Sequence, residues 1–75
     1  MVTIGIDLGS RMSKIVVLDN NNIVYSNVTD TGVNPKKVAE KLLNVALKNT
    51  SFSKKDIIAI YSTGYGRNIV PFSDK

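Results

Sequence analysis

Apolar and polar positions alternate at the start of this chain, and the pattern predicts a sheet of short strands. Residues 2–8 alternate with a period of two, which is typical of a strand with one buried face. Residues 13–18 are β-branched and apolar and predict a second strand, and residues 23–28 predict a third. The Asp and Asn residues at positions 19–22 tolerate left-handed backbone, so they predict a hairpin turn and an antiparallel meander.

A helix is predicted after the third strand. Asn34 is a good N-cap, and Pro35 suits the first helical position. The helix is expected to end near residue 48, because apolar residues recur at helical spacing up to that point. The predicted apolar face consists of Val38, Ala39, Leu42, Leu43, Val45, Ala46 and Leu47.

A second apolar segment follows the helix. Ser53 and Asp56 have the spacing of a capping box, which predicts a single helical turn. The continuous apolar run at residues 57–61 predicts a strand buried on both faces and parallel to its neighbour after a helical crossover. The order is therefore β-β-β-α-β, an α/β fold with a mixed sheet, and 75 residues allow one domain at most.

Composition excludes several kinds of chemistry. The sequence has no cysteine and no histidine, so it offers no disulfide, no thiolate metal site and no histidine base. The net charge is +4, but the lysines are dispersed, which favours a solvated helix face over a nucleic-acid surface. No apolar run is long enough to cross a membrane and no signal-peptide pattern is present, so we expect a cytoplasmic protein that binds neither nucleic acid nor membrane.

The turn between the first two predicted strands concentrates chemically useful groups. Asp7 ends the first strand, and an acidic residue is unusual at such a position. Gly9 can adopt positive φ and lets a ligand approach, successive N–H groups can form an anion site, and Lys14 adds a cation. A carboxylate facing phosphates would need a divalent cation such as Mg²⁺ between them. The alternative is an ordinary β-hairpin whose turn contains Gly and Ser.

The segment D-L-G-S-R-M-S-K resembles the first phosphate motif of the superfamily that contains actin, the heat-shock chaperones, hexokinase and the acetate and sugar kinases. The motif has the general form Asp-x-Gly-(Ser/Thr)-x-x-(Ser/Thr)-(Lys/Arg). Within that superfamily the chain most resembles the activator ATPases of 2-hydroxyacyl-CoA dehydratases and benzoyl-CoA reductases. The segment S-T-G-Y-G-R-N is similar to a T-G-Y-G-R segment of those activators and supports the narrower assignment.

The resemblance implies the N-terminal half of a ribonuclease-H-like, actin-like ATPase fold, so that residues 1–75 form one partial subdomain. It also implies Mg-ATP bound between two lobes. The activators are homodimers that share one iron–sulfur cluster and couple ATP hydrolysis to electron delivery to a dehydratase or reductase. Asp7 would hold Mg²⁺ through water. Backbone N–H groups, hydroxyls and a positive charge for the phosphates would come from Gly9, Ser10, Arg11, Met12, Ser13 and Lys14.

The second matching segment permits more than one interpretation. A dinucleotide fingerprint is rejected, because Ile69 stands where a third glycine is needed. Gly64 and Gly66 can simply turn the chain after a buried strand. The resemblance instead implies that residues 63–67 lie near the nucleotide cleft or a subunit contact, with Thr63, Gly64 and Gly66 as nucleotide-binding candidates and Arg67 as an available cation.

The chain also departs from the family pattern. Arg11 replaces a small hydroxyl residue, and the cluster cysteines, the second Asp-x-Gly motif and the Gly-rich adenosine motif are absent. A site needs groups converging from both sides, so we expect weak ATP binding and no turnover by this chain alone. We expect an expressed piece of a longer protein or a truncated gene product. The alternatives are a non-catalytic interaction module that pairs through an exposed strand edge, and a fragment of a sugar or acetate kinase.

Overall fold

The computed structural model describes residues 1–63 and shows one four-stranded sheet with a single α-helix. The elements are β1 (Val2–Leu8), β2 (Met12–Asp19), β3 (Asn22–Asp30), α1 (Pro35–Thr50), a 3₁₀ turn (Lys54–Asp56) and β4 (Ile57–Thr63). The strand order is β3-β2-β1-β4. β1 and β2 pair antiparallel, as do β2 and β3, whereas β4 pairs parallel with β1. The predicted β-β-β-α-β order and mixed sheet are confirmed.

The core lies between α1 and one face of the sheet. β1 is buried at alternate positions, as its period-two pattern predicts, and β2 contributes its own alternate residues to the same face. The four residues of α1 that are buried belong to the predicted apolar face. The buried apolar residues are Val2, Ile4, Ile6, Leu8, Ile15, Val17, Ala39, Leu42, Leu43, Ala46 and Ile60.

Local sequence signals set the turns and helix ends. Asn20 and Asn21 adopt positive φ (53° and 70°), which forms the predicted tight turn between β2 and β3. The Asn34 side chain accepts a hydrogen bond from the Lys37 N–H, so Asn34 is the N-cap of α1. The capping box before β4 is also formed. β2, β3, α1 and β4 extend one or two residues beyond the predicted limits.

The prediction that β4 is buried on both faces is wrong. Only Ile60 is buried among the described residues of β4, whereas Ile58 is 59% and Tyr61 47% exposed. β4 lies at the edge of the sheet, and α1 covers one face only. The apolar run therefore ends at an open face of the sheet, which carries Tyr61. Within residues 1–63, no helix is long and apolar enough to span a membrane.

Candidate functional site

Three predicted site residues meet on the open face of the sheet. Asp7, near the end of β1, is paired in register with Lys14 on β2 and with Thr63 on β4. All three are exposed, whereas the described residues next to them along each strand are buried or half-buried. Their convergence follows from the fold, since β1 and β4 are parallel and bring their carboxyl ends to the same edge, where ligands bind in open α/β sheets.

A groove of about 180 Å³ runs along this face. Its lining is almost wholly apolar surface, which includes Val16 and Tyr61, and the polar residues Asp7, Lys14 and Thr63 border it. The carboxylate of Asp7 makes no hydrogen bond or ion pair with any residue of the described part of the chain. Among the described residues, the Asp7 carboxylate therefore remains available to a ligand or a hydrated cation at the border of an apolar groove.

Gly9 occupies its position for a reason that differs from the prediction. Gly9 does not use the positive φ that a glycine can adopt: the glycine with positive φ among residues 1–63 is Gly32, at 67°. A Cβ on Gly9 would instead lie 2.5 Å from the Met12 carbonyl oxygen. The same oxygen accepts a hydrogen bond of 3.0 Å from the Gly9 N–H. The Gly9 N–H is thus already used within the turn, which corrects the expectation that it would face a phosphate.

The backbone N–H groups at the next positions of the turn remain available as hydrogen-bond donors. Ser10, Arg11 and Met12 are exposed. The N–H groups of Ser10 and Arg11 donate no hydrogen bond to any described residue. Gly9 and Met12 would normally exchange two bonds as a hydrogen-bonded pair. The bond from the Met12 N–H to the Gly9 carbonyl is not made within residues 1–63. The turn consequently presents backbone donors and an arginine to solvent beside Asp7 and Lys14.

Ser13 does not share this exposure. It is 1% exposed, and its Oγ lies 2.6 Å from the Oγ1 of Thr31, which is 2% exposed. Thr31 Oγ1 in turn donates to the Gly9 carbonyl at 2.8 Å, and the Thr31 N–H donates to the Arg11 carbonyl at 2.9 Å. No sequence pattern indicated Thr31, which follows β3. The meander topology could have indicated it, because it places the end of β3 beside the start of β2.

The donor set suits a magnesium ion only in company with phosphate. Within residues 1–63, no three carboxylate, histidine or cysteine side chains lie together. Asp7 is therefore a single carboxylate ligand. Mg²⁺ is commonly held by one or two carboxylates together with waters and phosphate oxygens, so the residues present fit a water-bridged ion that is shared with a nucleotide. Gly64, Gly66 and Arg67 lie outside the described residues.

Comparison with known proteins identifies close relatives. No family model matches the chain. The activator of 2-hydroxyisocaproyl-CoA dehydratase from Clostridioides difficile is 38% identical over 79 residues, covering 100% of this chain and 28% of the relative. The curated relatives with the best matches are covered over 25% to 29% of their length, so the chain spans less than a third of each.

Solved structures agree with these relatives. Component A of the (R)-2-hydroxyglutaryl-CoA dehydratase from Acidaminococcus fermentans superposes with a TM-score of 0.85 at 32% identity, covering 100% of this chain and 29% of that one. The activator of the 2-hydroxyisocaproyl-CoA dehydratase from Clostridium difficile, solved with bound ADPNP, superposes with a TM-score of 0.79 at 39% identity, covering 100% of this chain and 28% of that one.

The sheet, its single crossover helix and these superpositions define the N-terminal part of an actin-like ATPase domain. Within that class, the chain is homologous to the activators of 2-hydroxyacyl-CoA dehydratases and corresponds to their N-terminal portion. The resemblance predicted from the two sequence segments is confirmed.

Proposed function

We propose that this chain forms the phosphate-binding part of the ATP site in an ATPase that activates a 2-hydroxyacyl-CoA dehydratase by ATP-coupled electron transfer. The observation that carries the proposal is the turn after β1, where the N–H groups of Ser10 and Arg11 donate to no residue of the described part of the chain and lie beside Asp7 and Lys14. Homology to dehydratase activators supports it, and so does the bound ADPNP in one structural neighbour. The same relatives favour an activator over a fragment of a sugar or acetate kinase.

The residues would share the work of holding the phosphates. The N–H groups of Ser10, Arg11 and Met12 would donate to phosphate oxygens, and the exposed Ser10 hydroxyl would add a further donor. Lys14 and the Arg11 guanidinium would supply positive charge. Gly9 would contribute space for close approach instead of a donor. Nucleotide contacts at the end of β4 would involve Thr63, Gly64 and Gly66.

Asp7 would hold Mg²⁺ through a water shell on the open face. When bound, the ion neutralises phosphate charge. Asp7 would supply a carboxylate that no other described residue occupies, at the point where the ion and the phosphates would meet. Its lack of any hydrogen bond or ion pair with residues 1–63 is consistent with that role.

The further properties proposed here concern the parent protein. It would hydrolyse ATP, form a homodimer, act in the cytoplasm and pass electrons to a dehydratase or reductase partner. The chain itself has no cysteine, so it supplies no thiolate to an iron–sulfur cluster. It carries phosphate-binding groups on one side of a site that needs groups from two sides, so its own affinity for ATP should be weak and its turnover negligible.

An NMR titration of the 75-residue chain with Mg-ATP tests the proposal. We expect the amide signals of residues 10–12 to shift at millimolar nucleotide, and the shifts to depend on Mg²⁺. Asp7→Asn should remove that dependence. Asp19→Asn makes the same change in charge at the opposite end of the sheet and serves as the control. Unchanged signals at millimolar Mg-ATP would refute nucleotide binding by this chain.

The exposed sheet favours a second candidate, a non-catalytic interaction module. β3 is an edge strand of the described sheet, and Ile23, Val24 and Val28 on it are exposed. Exposed edges pair readily with another chain. Sedimentation velocity across a concentration series separates the two candidates. Self-association without any response to Mg-ATP would support the module, whereas a nucleotide response would support the ATP site.

A further inference from the structure

We infer that Thr31 is a positioning residue, which orients the peptide groups of the turn after β1 so that their N–H groups face a phosphate-bearing ligand. The inference also assigns Ser13 to the support of this turn and not to direct contact with phosphate. It rests on the proposed nucleotide site for the identity of the ligand, but the orientation of the turn can be tested without any ligand.

Three hydrogen bonds join Thr31 to the turn and to Ser13 at the start of β2. The side chains of Thr31 and Ser13 are both almost fully buried. Its N–H donates to the Arg11 carbonyl at 2.9 Å, and its Oγ1 donates to the Gly9 carbonyl at 2.8 Å. The third bond, of 2.6 Å, joins its Oγ1 to Ser13 Oγ. Thr31, directly after β3, thereby holds the backbone of the turn at both Gly9 and Arg11. Buried hydrogen bonds of this kind keep a single geometry, because an unpaired buried polar group is costly.

The direction of the bond between the two hydroxyls follows from counting protons. Thr31 has one hydroxyl proton, and the Gly9 carbonyl can only accept, so that proton is committed to Gly9. The 2.6 Å bond must therefore be donated by Ser13 Oγ. The Ser13 proton is used, and its side chain is 1% exposed, so a phosphate would have to break this buried relay to reach it.

Because a peptide group is planar, each held carbonyl also sets the direction of the N–H group that follows it. In a trans peptide the C=O and the following N–H point in opposite directions. Holding the Gly9 carbonyl toward Thr31 therefore turns the Ser10 N–H away from Thr31. Holding the Arg11 carbonyl in the same way turns the Met12 N–H away. The Gly9 carbonyl thus accepts from the Thr31 hydroxyl, whereas in a regular hairpin it would accept from the Met12 N–H.

Loss of the Thr31 hydroxyl should therefore leave fewer N–H groups of the turn directed at the ligand. In Thr31→Val, the Gly9 carbonyl loses the hydroxyl that holds it, so the peptide between Gly9 and Ser10 can rotate and turn the Ser10 N–H away from the ligand. We expect Mg-ATP to bind about tenfold more weakly, the size of one hydrogen bond's net contribution. Thr31→Ser keeps the hydroxyl and should restore binding. Thr29→Val is the matched control, since Thr29 lies two residues before Thr31, near the end of β3, and its hydroxyl makes no hydrogen bond within residues 1–63.

Hydrogen exchange of the unliganded chain tests the turn itself. The Gly9 N–H is bonded to the Met12 carbonyl, so its protection reports on the geometry of the turn. Thr31→Val should change this protection several-fold, while Thr31→Ser and Thr29→Val should leave it near the wild-type value. Amides of the buried part of β1 serve as the check that each variant is folded.

Ser13→Ala separates support from direct contact. If Ser13 acts through Thr31, Ser13→Ala should change both Gly9 exchange and Mg-ATP affinity, and the double variant with Thr31→Val should lose less than the sum of the two single losses. If Ser13 touched phosphate directly, its loss would lower affinity with no change at Gly9, and its effect would add fully to that of Thr31→Val. That result would overturn the assignment of Ser13.

The outcomes distinguish this inference from the proposed function. Thr31→Val with wild-type exchange at Gly9 and wild-type affinity would overturn the inference even if the chain binds Mg-ATP. A wild-type chain that shows no response to Mg-ATP would refute the nucleotide site and the role of Thr31 toward it. An altered Gly9 exchange in Thr31→Val would still establish that Thr31 sets the geometry of the turn.

Discussion

Gly9→Ala should weaken the fold because the turn after β1 has no room for a side chain. An added Cβ would lie 2.5 Å from the Met12 carbonyl oxygen, closer than the 3.0 Å that real Cβ atoms respect. The backbone would have to open by the difference, 3.0 − 2.5 = 0.5 Å. That oxygen also accepts the Gly9 N–H at 3.0 Å, and the same opening would stretch the bond to about 3.5 Å, near the limit for a hydrogen bond.

The expected cost combines two terms. Crowding of a packed site costs about 1–3 kcal/mol. Loss of a hydrogen bond of ordinary strength costs about 0.5–1.5 kcal/mol. Because the backbone can relieve the clash only by giving up part of the bond, the two terms overlap. We therefore expect the free energy of unfolding to fall by about 2 kcal/mol.

Urea unfolding followed by circular dichroism measures this change. At an m-value of about 1 kcal/mol/M, the midpoint should fall by about 2 M with the m-value unchanged. Gly5→Ala is the matched control, because Gly5 lies on the same strand and an added Cβ there meets nothing within 4 Å. It should be neutral or stabilising by up to about 1 kcal/mol. Equal midpoints for Gly9→Ala and Gly5→Ala would refute the argument.

The helix ends allow two further predictions that do not involve the turn. Asn34→Ala removes the side chain that caps the Lys37 N–H and should lower the free energy of unfolding by about 1 kcal/mol, whereas exposed Asn44→Ala should not, as thermal unfolding would show. Ser51→Gly should raise it by about 0.5–1 kcal/mol, because Ser51 has φ 65° at the end of α1. Ser53→Gly in the capping box should instead lower it, and a gain there would contradict the reasoning.

Sequence patterns predicted the parts of the fold that local chemistry decides. The alternation in residues 2–8 gave the limits of β1, since burial on one face has a period of two. Asn20 and Asn21 indicated the tight turn because few other residues accept positive φ. Asn34 indicated the start of α1 for a similarly local reason, the need to satisfy a free N–H.

The failures concern features that depend on which atoms surround a residue in the folded chain and not on the residue's own type. The apolar run of β4 was expected to be buried on both faces, but burial depends on what covers the second face, which the run itself does not encode. A glycine at position 9 suggests positive φ, whereas the real constraint is the Met12 carbonyl oxygen, which leaves no room for a Cβ. Thr31 was overlooked because its partners are brought to it by the pairing of β2 with β3.

The hydrogen bonds that hold the turn after β1 contribute both to stability and to the proposed ligand binding. The ends of α1 take no part in these bonds. Gly9→Ala and Thr31→Val each disturb the bonds that fix the turn, so each should lower stability and nucleotide affinity together. Asn34→Ala should lower stability alone, because the cap touches no part of the turn. Affinity that tracks global stability across all three variants would indicate a general loss of folded protein. Affinity that falls in Gly9→Ala and Thr31→Val, but not in Asn34→Ala, would locate the cause in the geometry of the turn.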